Sequence, residues 1–294
     1  MGWNISAPGG SITLVDLDFS FCGTALQVDG AANVTVVGST ITNSANSGAA
    51  IIGTNLGEIS IKASTLHSNH QSGPGGALNI LAGTVYLVSS VFLNNFSNQH
   101  GGVGAITGSL FVSDCYFEMN SAAIGGGVLF VNGTQFSVQI ESSTFLNNSA
   151  SMAGTFWLTV GTIEILNSTA NVSTATSDNG AAGILTFQSL RIAGSSFFGS
   201  FAAASAGIFE LFSAKGKIVL FHQILQFNYP SGAVTKLDIS NCSFTDNGAN
   251  SKSAGALYIA ADNVTISNST FTNNFAGTSG GAIYFTDTGR DDQG

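Results

Sequence analysis

Carboxylate side chains are the residues of this sequence that come nearest to a catalytic pattern. A pair of carboxylates can cleave a glycosidic bond, and a cluster of them can bind calcium. Glu141 and Glu164 lie 23 residues apart, and would meet if the chain coiled with about that period. Asp238 and Asp262, 24 residues apart, form a second such pair. Because neither pair has an aligned arginine, lysine or histidine, we expect surface carboxylates and no catalytic residue.

Histidine side chains are the candidates for a metal site. His67 and His70 are three residues apart, and His100 follows about one period later. Imidazole is a common ligand of divalent metals, but no cysteine or carboxylate accompanies these three in the sequence. We therefore interpret them as polar loop residues, and we expect no metal and no cofactor.

A recurring Phe-x-x-Asn pattern indicates the elements that position these side chains. Its clearest copies pair an apolar residue with the asparagine three positions later: Leu66 and Asn69, Phe92 and Asn95, Phe117 and Asn120, Phe145 and Asn148, Phe244 and Asn247, and Phe271 and Asn274. Further copies are predicted at Asn171, Gly199 and Asn228, and a weaker one at Asn43. Because successive copies are about 19 to 28 residues apart, the period indicates a solenoid.

Apolar residues alternate with Ser, Thr and Asn within each copy, as at Val264 and Ile266. This period of two predicts short strands, and no stretch shows a helical period with capping residues. A unit of about 26 residues fits one coil of a parallel β-helix and is too short for a propeller blade of about 40. We therefore predict an all-β, single-stranded parallel β-helix of about ten coils. Residues 1–294 would form one domain, with irregular first coils over 1–38 and degenerate coils over 155–234.

Stacking of the coils would give the repeated residues a structural role. Inward phenylalanines would form an apolar column. The asparagines would pair their amides in a ladder and would adopt the left-handed conformation of a corner. We therefore interpret the following residues as scaffold: Asn69, Asn95, Asn120, Asn148, Asn247, Asn274, Phe92, Phe117, Phe145, Phe244 and Phe271.

The combination of Phe-x-x-Asn with Gly-Gly-Ala-Ile is clearest over residues 269–274 and 280–283. It resembles the repeats of the chlamydial polymorphic outer membrane proteins and of similar right-handed parallel β-helix repeat proteins. The resemblance begins near Ser39 and fades over 155–234. It implies a right-handed β-helix and a non-enzymatic adhesin or structural scaffold, secreted or at the cell surface in association with an outer membrane. The signal sequence and anchor would not be in this chain.

The composition of the chain limits the classes of partner that it can bind. A net charge of −9 with only 7 Lys plus Arg provides no basic patch, which disfavours nucleic acid. The longest apolar stretch, residues 218–227, is too short to span a membrane. We expect a host or cell-surface protein or glycan as partner.

Because the chain stops just after a Gly-Gly-Ala-Ile strand without a cap, we also expect it to be a fragment that is continuous with flanking protein segments.

The positions of the cysteines predict whether they can form disulfides. Cys115 and Cys242 occupy the same place about five coils apart, or roughly 24 Å, far beyond the ~7 Å that a disulfide spans. We therefore predict three unpaired, mostly buried thiols.

Asn-x-Ser/Thr sequons occur at Asn4, Asn33, Asn95, Asn132, Asn147, Asn167, Asn171, Asn241, Asn263 and Asn268. Chance and glycosylation account equally well for them, and the candidates for glycosylation are Asn33, Asn132, Asn167 and Asn263.

Two other functions remain open. Right-handed β-helices include polysaccharide lyases and hydrolases of the pectin-degrading type, although this sequence lacks the Asp-Gly type of active-site signature found in such hydrolases. Ice binding would need Thr-x-Thr on successive coils. Thr40 with Thr42 and Thr270 with Thr272 match that pattern, but it does not recur regularly between them.

Overall fold

Parallel strands stacked in about ten coils form a β-solenoid in this computed structural model. It describes residues 2–46, 49–177, 180–203, 206–213, 217–220, 223–226, 235–250 and 254–285, and these contain no helix. The prediction of an all-β parallel β-helix with about ten coils is therefore confirmed.

Each coil contributes four short segments, which we call the a, b, c and d strands in chain order. The a and b strands form one continuous sheet and are joined into single long strands in the middle coils. This sheet comprises Trp3–Ser6, Ser11–Val15, Leu26–Asp29, Asn33–Val37, Ile51–Thr54, Glu58–Lys62, Leu78–Val88, Gly104–Ser113, Leu129–Glu141, Phe156–Leu166, Gly183–Phe187, Ser189–Ala193, Phe209–Ser213, Lys236–Ser240, Leu257–Ala260, Asn263–Ser267 and Ile283–Phe285.

The c and d strands form two narrower parallel sheets. The c strands are Asp18–Ser20, Thr40–Thr42, Thr65–His67, Val91–Leu93, Tyr116–Glu118, Thr144–Leu146, Thr169–Asn171, Ser196–Phe198, Ser243–Thr245 and Thr270–Thr272. The d strands are Ala45–Asn46, His70–Gln71, Phe96–Ser97, Ser121–Gly125, Ser149–Met152, Thr174–Ala175, Phe201–Ala202, Gly248–Ala249 and Phe275–Ala276. Each strand pairs with its counterpart one coil away, so equivalent residues stack along the axis.

Alternate residues of most b and c strands point inward and contribute to one large apolar core. In the b strand of the fourth coil, Val85 and Leu87 are fully buried, whereas Tyr86 between them faces outward. This is the period-two pattern expected of a sheet with one buried face. The core therefore runs the length of the solenoid, and the outer residues are free to vary.

Corners of each coil require a residue in the left-handed conformation. One such residue ends each b strand and another ends each c strand; Asn94, Asn147 and Asn273 occupy the second corner with φ of 52°, 53° and 52°. Asparagine tolerates this conformation better than most residues. The prediction that the ladder asparagines adopt the left-handed conformation was wrong, because the residue before each of them adopts it.

A glycine pair follows the d strands because the coils approach closely there. A Cβ atom on Gly102 would lie 2.1 Å from the carbonyl oxygen of Gly127, and one on Gly127 would lie 2.0 Å from that of Gly154. The preceding Gly101 and Gly126 have φ of 69° and 65°. The recurring glycine pair is thus needed for both backbone conformation and coil spacing.

Strand pairing corrects the predicted boundaries. The first coil was expected to be irregular, but Trp3–Ser6 pairs in register with Leu26–Asp29. Within the region expected to be degenerate, Phe156–Leu166 also pairs in register with its neighbours. Among the described residues, the clearest departure from the repeat is a segment inserted after Phe209–Ser213, which contains an antiparallel pair of strands, Lys217–Leu220 and Gln223–Gln226. Asn228 and residues 227–234 lie outside the described residues.

Candidate binding face

The six predicted ladder asparagines lie at one corner of the solenoid and hydrogen-bond to one another. Four of the side-chain amides donate from Nδ2 to the Oδ1 of the next ladder asparagine, at 2.9 Å from Asn69 to Asn95, 3.0 Å from Asn95 to Asn120, 3.2 Å from Asn120 to Asn148 and 2.9 Å from Asn247 to Asn274. All except Asn274 are completely buried. Their polar groups are therefore used within the scaffold.

Serine takes the ladder position in three other copies, which were predicted at Asn43, Asn171 and Gly199. The backbone N–H of Ser44 donates to Asn69 Oδ1, and that of Ser200 donates to Asn247 Oδ1. Ser173 holds the equivalent place between Asn148 and Ser200, and its N–H donates to Ser200 Oγ. The predicted copies at Asn43, Asn171 and Gly199 were thus wrong by one or two residues.

The five predicted core phenylalanines stack along the interior. Ring centroids are 4.9 Å apart from Phe92 to Phe117, 4.7 Å from Phe117 to Phe145 and 4.7 Å from Phe244 to Phe271. The column breaks at Ala170, where Phe156 packs edge-on against Phe145. These rings are packed inside the coil and leave ligand contacts to the outer residues.

A second ladder, of serine and cysteine, occupies the corner between the b and c strands, and the sequence analysis did not find it. In the third coil, Ser64 N–H donates to Ser90 Oγ, while Ser64 Oγ donates to the carbonyl of Lys62. The same two contacts recur at Ser39, Ser143 and Ser168, and Ser195 Oγ donates to the carbonyl of Ala193. Serine is so frequent in this chain that its period does not stand out.

All three cysteines occupy ladder positions. None of the three forms a disulfide and all three are buried, so the prediction that the thiols are not disulfide-bonded is confirmed. Cys115 and Cys242 lie in the serine ladder, where each thiol donates to the carbonyl two residues earlier. Burial raises the pKa of the Cys115 thiol to about 11. These thiols are therefore scaffold groups held in the neutral form.

Sequon exposure divides the possible glycosylation sites. Asn33, Asn132, Asn167 and Asn263 are exposed, whereas Asn95 is buried in the asparagine ladder. A glycan on Asn95 would require the ladder to open at that coil. The four proposed acceptor residues lie on the outer surface of the solenoid.

The three candidate histidines are not stacked in register along the solenoid. His67 and His70 belong to adjacent c and d strands, and the residues in register with them one coil later are Leu93 and Phe96. His100 pairs with Gly125 elsewhere on the coil and stacks on Phe130, with 4.5 Å between ring centroids. Burial lowers the pKa of His100. Within the described part of the chain, no three His, Cys, Asp or Glu side chains are grouped as a metal would require.

The outer face of the b strands carries the most distinctive surface residues. We define the axial stripe as the central outward residues of six successive coils: Tyr86, Phe111, Gln139, Glu164, Arg191 and Asp238. Each is in register with the next, so their Cα atoms are about 4.8 Å apart along the axis. The stripe changes from aromatic to charged along its length.

The aromatic end of the stripe borders a cleft. The Tyr86 and Phe111 rings are stacked, with centroids 5.1 Å apart and planes inclined by 13°. The next residue in register, Gln139, cannot continue the stack. A shallow cleft of about 160 Å³ lies here, lined by Tyr86, Val88, Phe111, Val112, Ser113, Gln139 and Glu141. The cleft thus combines an aromatic wall with amide, hydroxyl and carboxylate groups.

The charged end brings two acids to one base. Arg191 lies in register between Glu164 and Asp238, and its Nη1 is 3.8 Å from Glu164 Oε1. The expectation that no base aligns with these acids was therefore wrong. Glu141 and Glu164 do lie on adjacent coils, but Asp262 bonds to Thr235, away from Asp238.

Threonines on the c strands do not form the face expected for ice binding. Thr40 and Thr65 are in register at the first position of the c strand, but Thr42 is followed by His67 and then Leu93 at the third. A Thr-x-Thr surface is therefore not continuous on successive coils.

Comparison of the chain with known protein families, with curated protein sequences and with solved structures found no significant match. Within the described residues there is no helix of the length and hydropathy that a membrane span needs.

Proposed function

We propose that this protein is a non-enzymatic β-helix repeat protein, secreted or displayed at the cell surface, that acts in adhesion through the axial stripe. The observation that carries the proposal is the unbroken register from Tyr86 to Asp238, which places aromatic and charged side chains in one line on an otherwise Ser-, Thr- and Val-rich face. A line of this kind suits an extended ligand, because solenoids bind along their surface.

Three further features support this proposal. The repeats resemble those of the chlamydial polymorphic outer membrane proteins, whose members act as adhesins. The buried ladders use most of the repeated polar residues as scaffold, which leaves the unrepeated outer residues for recognition. The exposed sequons at Asn33, Asn132, Asn167 and Asn263 would carry glycans if the chain passes through a glycosylating secretory pathway.

Binding of labelled protein to eukaryotic cell surfaces tests the proposal. We expect Arg191→Glu to weaken binding at least about tenfold, because it places like charges on three successive coils of the stripe. Glu118→Ala changes an outward charge on the c strands and serves as the matched control, with binding unchanged. Equal binding by Arg191→Glu and the unmodified protein would contradict a role for the stripe.

A polysaccharide-degrading enzyme is the second candidate, and the alignment of Glu164, Arg191 and Asp238 favours it. Two inter-strand steps, or about 9.6 Å, separate the Cα atoms of these two acids, and inverting glycosidases place their carboxyl groups about 6.5–9.5 Å apart. However, the Glu164 side chain is 36% exposed and already contacts Arg191 at 3.8 Å, whereas a catalytic acid is usually enclosed.

An assay for cleavage products distinguishes the two candidate functions. Pectic and neutral polysaccharides would be incubated with the protein and assayed for new reducing ends and for unsaturated products. We expect no release above a buffer control. Release that disappears in both Glu164→Gln and Asp238→Asn would instead establish the enzyme.

A further inference from the structure

We propose that the ligand of the axial stripe is a neutral glycan, with one sugar ring seated in the cleft beside Phe111. This inference rests on the stripe being the binding surface proposed above. It adds the chemical class of the ligand and the place where binding is anchored.

The aromatic stack leaves room for one more ring. Tyr86 and Phe111 are nearly parallel at 5.1 Å, which is close to the spacing between coils. The stack stops at Phe111 because Gln139 follows in register, and the cleft lies at this step. The apolar face of a pyranose ring can pack against an aromatic side chain, so a sugar ring fits where the stack ends.

Polar side chains line the cleft next to its aromatic wall, where they can hydrogen-bond to the hydroxyl groups of a bound sugar. Ser113, Gln139 and Glu141 line the cleft beside Phe111. Gln139 supplies both a donor and an acceptor, and Glu141 supplies acceptors. Farther along the stripe, Arg191 supplies donors between two carboxylates. An alternation of donors and acceptors matches hydroxyl groups, which both donate and accept hydrogen bonds.

The charge of the face argues for a neutral ligand. The outward residues of the described b strands include four acids, Glu58, Glu141, Glu164 and Asp238, and three bases, Lys62, Arg191 and Lys236, which leaves a formal charge of −1. The whole chain has a net charge of −9 with only 7 Lys plus Arg. The face as a whole is close to neutral, so it offers no strong net attraction to an acidic glycan or to a basic peptide, and an uncharged ligand is favoured over both.

The test compares three classes of probe by isothermal titration calorimetry, with saturation-transfer NMR for weak ligands. The probes are neutral oligosaccharides (cellohexaose, laminarihexaose and mannohexaose), an acidic one (hexagalacturonate) and a hexalysine peptide. We expect binding from at least one neutral oligosaccharide. Gln139→Phe should weaken it at least about tenfold, because the new ring extends the stack and fills the cleft.

Two variants control for effects on the fold. Thr13→Phe makes a similar change on the same face in the first coil and should leave binding unchanged. Gln139→Ala keeps the cleft open and removes one amide, so it should weaken binding less than Gln139→Phe. Circular dichroism would establish that all three variants fold.

Other outcomes overturn the inference and are distinguishable from failure of the proposed function. Binding of only hexagalacturonate or hexalysine, or neutral binding that Gln139→Phe leaves intact, contradicts a neutral glycan in this cleft. If no oligosaccharide binds while cell binding remains sensitive to Arg191→Glu and to protease treatment of the cells, the ligand is a protein. In that case the stripe would keep its function and the inference about ligand class would be wrong.

Discussion

Asn95 makes four hydrogen bonds through one buried side chain. Its Oδ1 accepts from the backbone N–H and the side-chain amide of Asn69, at 3.2 and 2.9 Å. Its Nδ2 donates to the carbonyl of Leu66 at 2.9 Å and to Asn120 Oδ1 at 3.0 Å. Each rung therefore satisfies buried groups on the coils before and after it, and a single residue supports three coils.

Replacing Asn95 by alanine should destabilise the solenoid strongly. The change leaves buried donors on Asn69 without their acceptor, and we expect a loss of about 2–4 kcal/mol in the free energy of unfolding. Urea denaturation followed by circular dichroism would measure it. Asn98→Ala, at an exposed position nearby, is the matched control, with a change within about 0.5 kcal/mol. Equal stability of the two variants would contradict the ladder.

The buried thiol of Cys115 predicts a dependence of stability on pH. Its pKa is raised from 9.0 to about 11 in the folded protein, so the unfolded chain loses this proton at lower pH. Below about pH 9 the thiol is neutral in both states and contributes no pH dependence. As the pH rises from about 9 to 11, the protein should lose up to about 2–3 kcal/mol relative to Cys115→Ser.

Urea unfolding of both proteins at about pH 8 and about pH 10 measures this difference. Serine occupies the same ladder position in neighbouring coils, as at Ser90 and Ser143, so Cys115→Ser should fold normally. A stability difference that does not change with pH would contradict a buried, neutral thiol.

At the scale of the element, each coil is fixed by its two left-handed corners as much as by its strands. Asn94 and Asn147 occupy the corner after the c strand, but Val172 occupies it in the seventh coil with φ of 51°. A β-branched residue in this conformation is strained. The sequence therefore departs locally from the residue that the corner favours.

Val172→Asn should relieve this strain. We expect an increase of about 1 kcal/mol in the free energy of unfolding, since the left-handed conformation costs most residues about 1–2 kcal/mol. Val15→Asn makes the same change at an exposed strand residue and should not stabilise. Thermal denaturation compares the two, and an equal effect of both substitutions would show that the corner is not strained.

Elements were predictable from the sequence where one residue type repeats in register. Phe92, Phe117 and Phe145 stack as expected because three coils in succession place a phenylalanine at the same inward position. The serine ladder was missed because its residue type is common everywhere in the chain. Spacing alone also failed at the corners, where serine replaces asparagine and leaves no distinctive residue to align.

The axial stripe was missed for a different reason. The sequence analysis paired Glu141 with Glu164 from their separation of 23 residues, but the residue in register with Glu164 is Gln139. Coil lengths vary, and the inserted segment places Asp238 47 residues after its neighbour Arg191. The alignment of the axial stripe could therefore be recognised only once the strand register was known.

At the scale of the whole molecule, the scaffold and the recognition surface are separate. The ladders and the core repeat from coil to coil, whereas the axial stripe changes residue type at nearly every coil. The outward b-strand residues contribute −1 to the net charge of −9, so the rest of the chain contributes −8. The electrostatic potential around the protein is therefore negative overall, and the outer face of the b strands carries little of the net charge.

Hydroxyl-radical footprinting of the protein with and without eukaryotic cell membranes tests the central claim most directly. Tyr86 and Phe111 report on the stripe, while Tyr116 on the c strands and Phe201 and Phe275 on the d strands report on the other faces. We predict that oxidation of Tyr86 and Phe111 falls when membranes are bound and that the other three are unchanged. Protection confined to Tyr116, Phe201 or Phe275 would contradict the axial stripe as the binding surface.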